Sequence, residues 1–299
     1  MDIPYSLSRW FPKTREQASC CFPSRIPSKR TGWQKKRLRT LRIFPALLFC
    51  IPLHASFAEV VYHTGFEEAE SFGGSYAVGP LVGQGEHLPE ISPWLQPQGE
   101  ENSGAEIVGE SRSRQLPPPQ GDQMLQLQYV SGNPAIFQNF LPEARALKQD
   151  FKATFLLGVD GEVSNGTFYF AVQSSSGRNN GAWFGIRRLS AEPPSFGSFY
   201  KTTDSEGKMV WEKLGDIPLE PRQFYKITLE IDDSDQTFGG SVTDPEGRKI
   251  LTFSHLPLLD QDGHMRNGRG FNRIYVGSDQ IGNKPLFLVD DITIETIDK

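Results

Sequence analysis

Cysteine is almost absent from this chain of 299 residues. Its three cysteines, Cys20, Cys21 and Cys50, all lie in the first 50 residues, so the remainder can form neither a disulfide nor a thiolate nucleophile. The sequence also lacks the Gly-x-Ser-x-Gly motif of serine hydrolases and the His-Glu-x-x-His motif of zinc peptidases. These absences exclude several common catalytic mechanisms and leave stability to an apolar core or to a bound metal.

An apolar run long enough to span a bilayer comfortably, about 20 residues, is also missing. The candidate run, IFPALLFCIPL (Ile43–Leu53), is short and contains two prolines. A basic segment, KKRLRTLR (35–42), precedes it, and the small residues Ser56 and Ala58 follow it. This order is typical of a secretory signal peptide cleaved after Ala58, and an uncleaved membrane anchor is the alternative.

Basic residues are scarce after this leader. Residues 1–58 hold 11 of the 31 lysines and arginines but only 2 of the 36 acidic residues, so 59–299 carry 20 basic and 34 acidic side chains, a net charge of −14. Such an acidic protein is a poor ligand for nucleic acid, whose phosphates attract Lys and Arg. We therefore expect an N-terminal extension and signal peptide over 1–58. The rest is expected to be secreted, or located in the periplasm or cell envelope, and not to be an integral membrane protein after cleavage.

Helical patterns are nearly absent from residues 59–299. Short aromatic or β-branched runs such as FYKITLEI (224–231) alternate with polar residues and end in turn sequences such as DPEG. Regular strands without intervening helices predict an all-β fold, with one antiparallel β-sandwich over 59–299. Residues 83–122 are polar and rich in Pro and Gly, which predicts a long loop-rich insertion with one embedded strand at AEIVG (105–109).

Two adjacent aspartates interrupt the apolar final strand, LFLVDDITIE (286–295). Since side chains alternate along a strand, Asp290 is predicted to share a wholly apolar face with Leu288 and Ile292, whereas Asp291 points the other way. An ionised carboxylate is costly on a buried face unless it is paired or bound to metal. Glu67 would meet Asp290 if the first and last strands were neighbours. An anionic cage of these carboxylates and backbone carbonyls would suit Ca²⁺.

The motifs at the two ends resemble those of a known family. GFE soon after the leader, VDDITIE at the end, YKITLEID, and the turn SVTDPEGRKI make the sequence similar to jelly-roll carbohydrate-binding modules and their concanavalin-A-like lectin and glucanase relatives. The resemblance leaves 83–122 uncovered. It implies a jelly-roll sandwich and a structural calcium ion held by Glu67 and Asp290, with Asp291 as the alternate ligand. Without calcium, Asp290 would pair with an arginine or meet water at a strand end.

The best catalytic candidate is LEIDDSD (229–235). Glucanases of the resembling superfamily carry Glu-x-Asp-x-x-Glu or Glu-x-Asp-x-Glu on one strand face, where the two glutamates serve a retaining mechanism. Glu230 and Asp232 match this motif, but Ser234 or Asp235 stands in place of the second glutamate. The segment also has the composition of a hairpin turn. Glu230, Asp232 and Asp235 are therefore weak candidates, and we predict no catalytic site.

Side chains suited to sugar binding are more frequent. Exposed aromatic rings can stack on pyranose faces while polar side chains bind hydroxyl groups. Aromatics within strands, such as Trp183 and Trp211, are more often core residues, whereas Trp94 lies in the loop-rich stretch and is the best candidate platform by location. The predicted function is non-catalytic binding of a polysaccharide or glycan, and the alternatives are a glycan-cleaving hydrolase on the same sandwich and a structural or adhesive envelope protein. The candidate ligand-binding residues are Trp94, Trp183, Tyr200, Trp211 and Arg187.

Overall fold

A computed structural model describes most of the chain after the leader. The described residues belong to one compact unit within 54–299, and residues 1–57, which include nearly all of the predicted signal peptide, lie outside the described part. Among the described residues, no helix is both long and apolar enough to cross a membrane. The described residues are 58–70, 74–87, 90–97, 104–111, 116–128, 135–160, 167–176, 180–190, 195–260, 265–279 and 286–297.

Fifteen strands and a short 3-10 helix, Glu143–Arg145, make up the described fold. In chain order the strands are β1 (Val60–Thr64), β2 (Gly79–Pro80), β3 (Ala105–Val108), β4 (Met124–Gln128), β5 (Ala135–Asn139), β6 (Phe151–Asp160), β7 (Thr167–Gln173), β8 (Gly181–Ser190), β9 (Ser195–Thr203), β10 (Met209–Ile217), β11 (Phe224–Asp232), β12 (Thr237–Thr243), β13 (Lys249–Pro257), β14 (Arg273–Asp279) and β15 (Leu286–Thr296).

These strands form two antiparallel sheets. The first has nine strands in the order β13-β12-β11-β6-β15-β4-β3-β2, with β1 also paired to β15. The second has six strands in the order β10-β9-β8-β7-β14-β5. The prediction of an all-β antiparallel sandwich is confirmed.

One main core fills the space between the sheets. Aromatic rings dominate its centre, where Phe155 of the first sheet stacks on Phe170 of the second with ring centroids 4.2 Å apart. Phe168 and Phe287 make a similar cross-sheet contact at 5.4 Å. Apolar side chains from both sheets are thereby removed from water, which is the main favourable term for a fold without disulfides.

The loop-rich insertion contains the embedded strand that its sequence predicts, because AEIVG includes β3. Trp94 lies in the same insertion and has none of its surface exposed. Its ring contacts Phe66, and its indole N–H donates to the Tyr76 hydroxyl at 3.2 Å. The insertion therefore supplies an aromatic side chain to the main core.

A bulge in β15 changes which residues face that core. Phe287 and Val289 pack in the main core before the bulge, and Ile292 and Ile294 pack there after it. The register with β6 shifts between Asp290 and Thr293, where an extra residue is accommodated. Simple alternation would have placed Val289 and Ile292 on opposite faces.

The bulge corrects the predicted environment of Asp290. Its neighbour on the same face, Leu288, packs on the opposite side of the sheet from the main core. Asp290 is fully buried there, and the loop before β4 covers it by donating the Gln120 N–H to its Oδ2 at 3.3 Å. The carboxylate is therefore buried beneath a loop and does not enter the space between the sheets. Leu288 packs with Val108, Met124 and, in part, Leu116 and Phe224.

We expect Ile292→Ala to lower the free energy of unfolding by about 2–5 kcal/mol, because it removes a buried side chain from the main core. Thr293→Ala is the matched control on the adjacent position, which is half-buried and loses only a side-chain hydrogen bond with His63, worth about 1 kcal/mol. Urea denaturation of both variants measures the difference. Equal losses would contradict the register after the bulge.

Candidate functional sites

The first and last strands are neighbours, as predicted from the chain ends. β1 pairs with β15 from Thr64↔Ile292 to Val60↔Glu295, whereas β4 pairs with residues 286–289 of β15. Since β6 occupies the other edge of β15, β4 and β1 share one edge and meet end to end. Asp290 and Asp291 fall between these two partners. We call this place the junction, formed by residues 65–70, 120–123 and 290–291.

Strand pairing along this edge of β15 is interrupted between β4 and β1. Carboxylates of the junction accept hydrogen bonds from backbone N–H groups that have no strand partner there. Glu67 Oε1 accepts hydrogen bonds from the N–H groups of Asp122 and Gln123 at 3.0 and 3.2 Å. Asp290 accepts from Gln120 through Oδ2, and its Oδ1 accepts from the Asp291 N–H at 2.8 Å. Backbone N–H groups without a strand partner need other acceptors, and here the acidic side chains provide them.

Glu70 completes the acidic set. Its Oε1 accepts hydrogen bonds from the N–H groups of Gly65 and Glu67 at 2.6 and 2.9 Å. Its Oε2 is buried and has no hydrogen-bond partner among the described residues. Two residues of the junction, Phe66 and Asp291, also have positive φ angles of 62° and 50°, a strained conformation for side chains of this kind. Strain of this type persists only where surrounding contacts enforce it.

The junction is rich in acidic side chains. Desolvation raises the pKa of Asp290 to about 8, hydrogen bonds from Asp291 and Gln120 oppose the shift, and the charges of Asp291 and Glu67 add to it. Burial also raises the pKa of Glu70. Among the described residues, none of these four carboxylates pairs with a lysine or arginine, although His63 Nδ1 lies 3.4 Å from Asp291 Oδ1. The predicted alternative that an arginine neutralises Asp290 thus finds no support in the described chain.

The donor set at the junction fits the predicted calcium ion in chemical type. Among the described residues, no three His, Cys, Asp or Glu side chains converge as a metal site, so a cage would need backbone carbonyls beside Glu67 and Asp290. A pocket of about 620 Å³ is lined by Glu67, Glu70 and Asp291, and the buried Glu70 Oε2 lacks a hydrogen-bond partner among the described residues. A bound cation would offset their repulsion and tie β1 to β15. Calcium stays a prediction.

Without bound metal, the free energy of unfolding should depend on pH through the protonation of Asp290. In chelator, the folded protein holds the Asp290 proton up to about pH 8, whereas the unfolded chain loses it near pH 4. The folded state then binds more protons, so the free energy of unfolding should fall between pH 4 and 8, by up to about 5 kcal/mol. Asp290→Asn should remove most of this slope.

Calcium at 100 times its dissociation constant should stabilise the wild-type protein by about 2.7 kcal/mol and Asp290→Asn much less. Thermal melting with chelator and with calcium, at several pH values, measures both effects. If calcium raised the melting temperature of the two proteins equally, Asp290 would not be a calcium ligand.

A second candidate site covers the face of the six-stranded sheet that points away from the main core. We call it the aromatic face. Its rings come from strands far apart in sequence but adjacent in register, since Tyr275 pairs with Phe137 and Ala171, and Ala171 pairs with Trp183. On the far strands Lys201 pairs with Trp211. The aromatic face comprises Phe137, Tyr169, Trp183, Trp211 and Tyr275.

Two glycines let these rings lie close to the sheet. A Cβ atom on Gly277 would lie 2.6 Å from the Tyr169 ring, and one on Gly185 would lie 2.9 Å from the Trp211 ring. The rings of Phe137 and Tyr275 are nearly parallel, with an interplanar angle of 2°. These two glycines thus make room for the rings of Tyr169 and Trp211 on neighbouring strands.

Ring exposure divides the aromatic face into a support and a platform. Tyr169 and Trp183 are only 6% and 4% exposed, and they pack with Leu259. Trp211, Tyr275 and Phe137 are half-buried and retain open surface. The Trp183 indole N–H is buried and lacks a hydrogen-bond partner among the described residues. The arrangement can stack a flat apolar ligand surface on the three more open rings.

The structure brings three of the predicted sugar-binding residues to this face. Trp183 and Trp211 meet at 6.4 Å with their ring planes 79° apart, although Trp183 serves as support. Arg187 lies farther along the same face of β8, stacked over the Phe199 ring at 5.0 Å.

The other two predicted residues lie elsewhere. Trp94 is a core residue, which corrects its prediction as a platform, because a ring without exposed surface cannot stack on a ligand. Tyr200 points to the opposite face of β9, where it packs against the main core and donates its hydroxyl hydrogen to Glu212 at 2.6 Å. Neither can contact a ligand on the aromatic face.

Sequence reasoning missed four residues of this face: Phe137, Tyr169, Tyr275 and Arg273. Each sits in a short strand and reads as an ordinary core aromatic or an isolated cation. The available signal was alternation, because Ile274 and Val276 face the main core and therefore place Arg273 and Tyr275 on the opposite side. Only the strand order joins them to Trp183.

The weak catalytic candidates lie on the other sheet. Glu230 and Asp232 line a groove of about 330 Å³ on β11. The Oδ1 atom of Asp232 accepts hydrogen bonds from Ser234 Oγ and the Asp235 N–H at 2.7 and 3.0 Å. β11 and β12 pair up to Asp232↔Thr237, so Asp235 lies in the hairpin turn that its sequence predicts. Asp232 is engaged in shaping this turn.

Comparisons with known proteins identify no family for this chain. No family model matches the sequence, and neither does any curated protein. Similar solved structures include a carbohydrate esterase from a Shiga toxin-encoding bacteriophage, at 12% identity over 81% of this chain and 100% of that one, with a TM-score of 0.47. A cellulose-induced protein has 12% identity over 73% and 96%, with a TM-score of 0.42. A GH43 glycoside hydrolase has 12% identity over 77% and 42%, with a TM-score of 0.48. Such low values carry no conclusion about ligands.

Proposed function

We propose that this protein is a non-catalytic glycan-binding domain whose ligand lies on the aromatic face. The observation that carries the proposal is the set of three half-buried rings, Trp211, Tyr275 and Phe137, arranged over one sheet with polar and cationic neighbours. Sugar rings present flat C–H faces that stack on aromatic rings, while their hydroxyl groups need polar side chains beside the rings. A structural calcium ion at the junction would stabilise the domain without touching this ligand.

Hydrolysis on the same sandwich has less support. A retaining glycosidase needs two carboxyl groups about 5–5.5 Å apart, one of them a proton donor. Glu230 is exposed, and the nearest carboxylate along β11, Asp232, has its Oδ1 engaged in the turn. Neither lies on the sheet that carries the aromatic face. A structural or adhesive role without a glycan ligand is the outcome if no glycan binds.

A glycan array followed by calorimetry tests the proposal. We expect binding, and we expect Trp211→Ala and Tyr275→Ala each to weaken it about tenfold or more, since truncation of a central aromatic contact typically costs about 2 kcal/mol. Tyr200→Ala is the matched control, a half-buried aromatic on the neighbouring strand whose ring faces the other way. Glu230→Gln should bind as the wild type does.

Absence of binding to every glycan would overturn the proposal. A ligand whose affinity drops equally in Tyr200→Ala and Trp211→Ala would bind elsewhere. Trp211 also packs against Trp183, so its truncation could disturb the fold. Circular dichroism of each variant therefore verifies that the sandwich is retained. Release of reducing sugar by the wild type but not by Glu230→Gln would instead establish the hydrolase alternative.

We also propose that the protein is exported to the periplasm or cell envelope, or secreted. The support is the basic and apolar order of the leader. The Glu59 nitrogen lies 3.0 Å from Thr296 Oγ1, and the Thr296 N–H donates to the Glu59 carbonyl at 2.9 Å. Cleavage after Ala58 would thus leave a first residue that β15 already holds. Mass spectrometry of the exported protein should give an N-terminus at Glu59, and an intact leader in membranes would contradict cleavage.

A further inference from the structure

The rings of the aromatic face form a row that crosses the six-stranded sheet. Phe137 of β5 pairs with Tyr275 of β14 at one end of the row, and Trp211 lies on the edge strand β10 at the other. The row therefore runs across the strands, which lie about 4.8 Å apart, and not along them. A ligand that follows the rings must be elongated in the same direction.

The middle of this row is closed. Tyr169, Ala171, Trp183 and Leu259 pack in one cluster, and none of them is more than 6% exposed. Lys201 Nζ also lies 4.1 Å from the centre of the Trp183 ring, so the lysine covers part of one face of that ring. The middle of the row thus offers little open ring surface on which a sugar could stack.

Two open rings lie on either side of this closed middle. Tyr275 and Trp211 are half-buried, and their ring centroids lie 5.5 and 6.4 Å from that of Trp183. They also lie 5.8 and 6.5 Å from the Tyr169 ring, with planes inclined to it by 21° and 32°. The two open rings are therefore separated by at most two ring spacings.

Side chains with partners border the row on both sides. On one side Leu259 bridges to the first residue of β8, and Arg273 lies 4.3 Å over the ring of a neighbouring phenylalanine. On the other side Lys213 Nζ pairs with Asp216 Oδ1 at 2.6 Å, and Arg187 lies 5.0 Å over another phenylalanine ring. These contacts leave the open ring surface longer across the strands than along them.

We infer that the aromatic face binds an internal stretch of an extended, unbranched glycan chain, which crosses the strands and stacks one sugar unit on Tyr275 and another on Trp211. This inference rests on the proposed function and adds the class of ligand. One sugar unit of an extended chain is about as long as one ring spacing, so a single unit lies between the two stacked ones. A single sugar could use only one of the two rings.

Oligosaccharides of increasing length test this inference. The probes are cello-, xylo-, manno- and laminari-oligosaccharides of one to six units, and calorimetry on the purified protein measures their affinities. In at least one series we expect the trisaccharide to bind about tenfold tighter than the disaccharide, because only the trisaccharide reaches both rings and its second contact is intramolecular. Reduction of the end sugar of the hexasaccharide to its alditol should leave the affinity unchanged, since an internal stretch is bound.

Variants assign the length dependence to the two rings. Trp211→Ala and Tyr275→Ala should each lower the affinity for the hexasaccharide about tenfold, and that for the disaccharide no more than about twofold, because the disaccharide can still stack on the remaining ring. Tyr200→Ala is the control that should keep the length dependence, since its ring packs against the main core. If Trp211→Ala does not fold, Tyr275→Ala on another strand gives the same comparison.

The outcomes separate the two claims. Equal affinities for one, two and six units would overturn the extended chain and leave glycan binding intact. Binding confined to branched or terminal sugars on the array, with none in the four series, would also overturn it. So would a length dependence that both ring variants retain, because the chain would then cross another surface. Failure of every glycan would remove the proposed function itself.

Discussion

The pairing of β1 with β15, beside β4 on the same edge, is the contact from which the acidic junction of the first sheet arises. β15 is central, with β6 along one edge and β4 and β1 sharing the other. Two partners cannot meet on one edge without a gap, and the gap leaves N–H groups without ladder acceptors. Glu67, Asp290 and Glu70 accept hydrogen bonds from such groups. The acidic cluster is thus a consequence of strand order, and the pKa values of Asp290 and Glu70 are raised because both carboxyl groups are desolvated there.

Much of this arrangement could be predicted from the sequence, and the missing part has an identifiable cause. Alternation and turn residues indicate the strands, and a carboxylate in an apolar strand indicates a buried acidic site near Glu67. Alternation fails at Asp290 because the bulge arises where one partner strand replaces another, a tertiary event without a local signal. Trp94 fails for a similar reason, since a polar, Pro-rich context does not reveal that its insertion folds back over Phe66.

The aromatic face shows why binding surfaces on sheets are harder to find than cores. A core residue is indicated by its own strand, because apolar side chains recur at every second position. A row such as Phe137, Tyr275, Ala171 and Trp183 is assembled across four strands, and its members are far apart in the chain. Gly185 and Gly277 are equally informative once register is known, since each makes room for a neighbour's ring. Without register they read as ordinary strand glycines.

The strand order also separates anchorage from recognition. β1 and β15 lie in the nine-stranded sheet, whereas the aromatic face belongs to the six-stranded sheet. A tether fused before Glu59 or after Ile297 would emerge from the sheet opposite to the rings. Immobilised through either end, the domain would be held by the sheet that does not carry the rings.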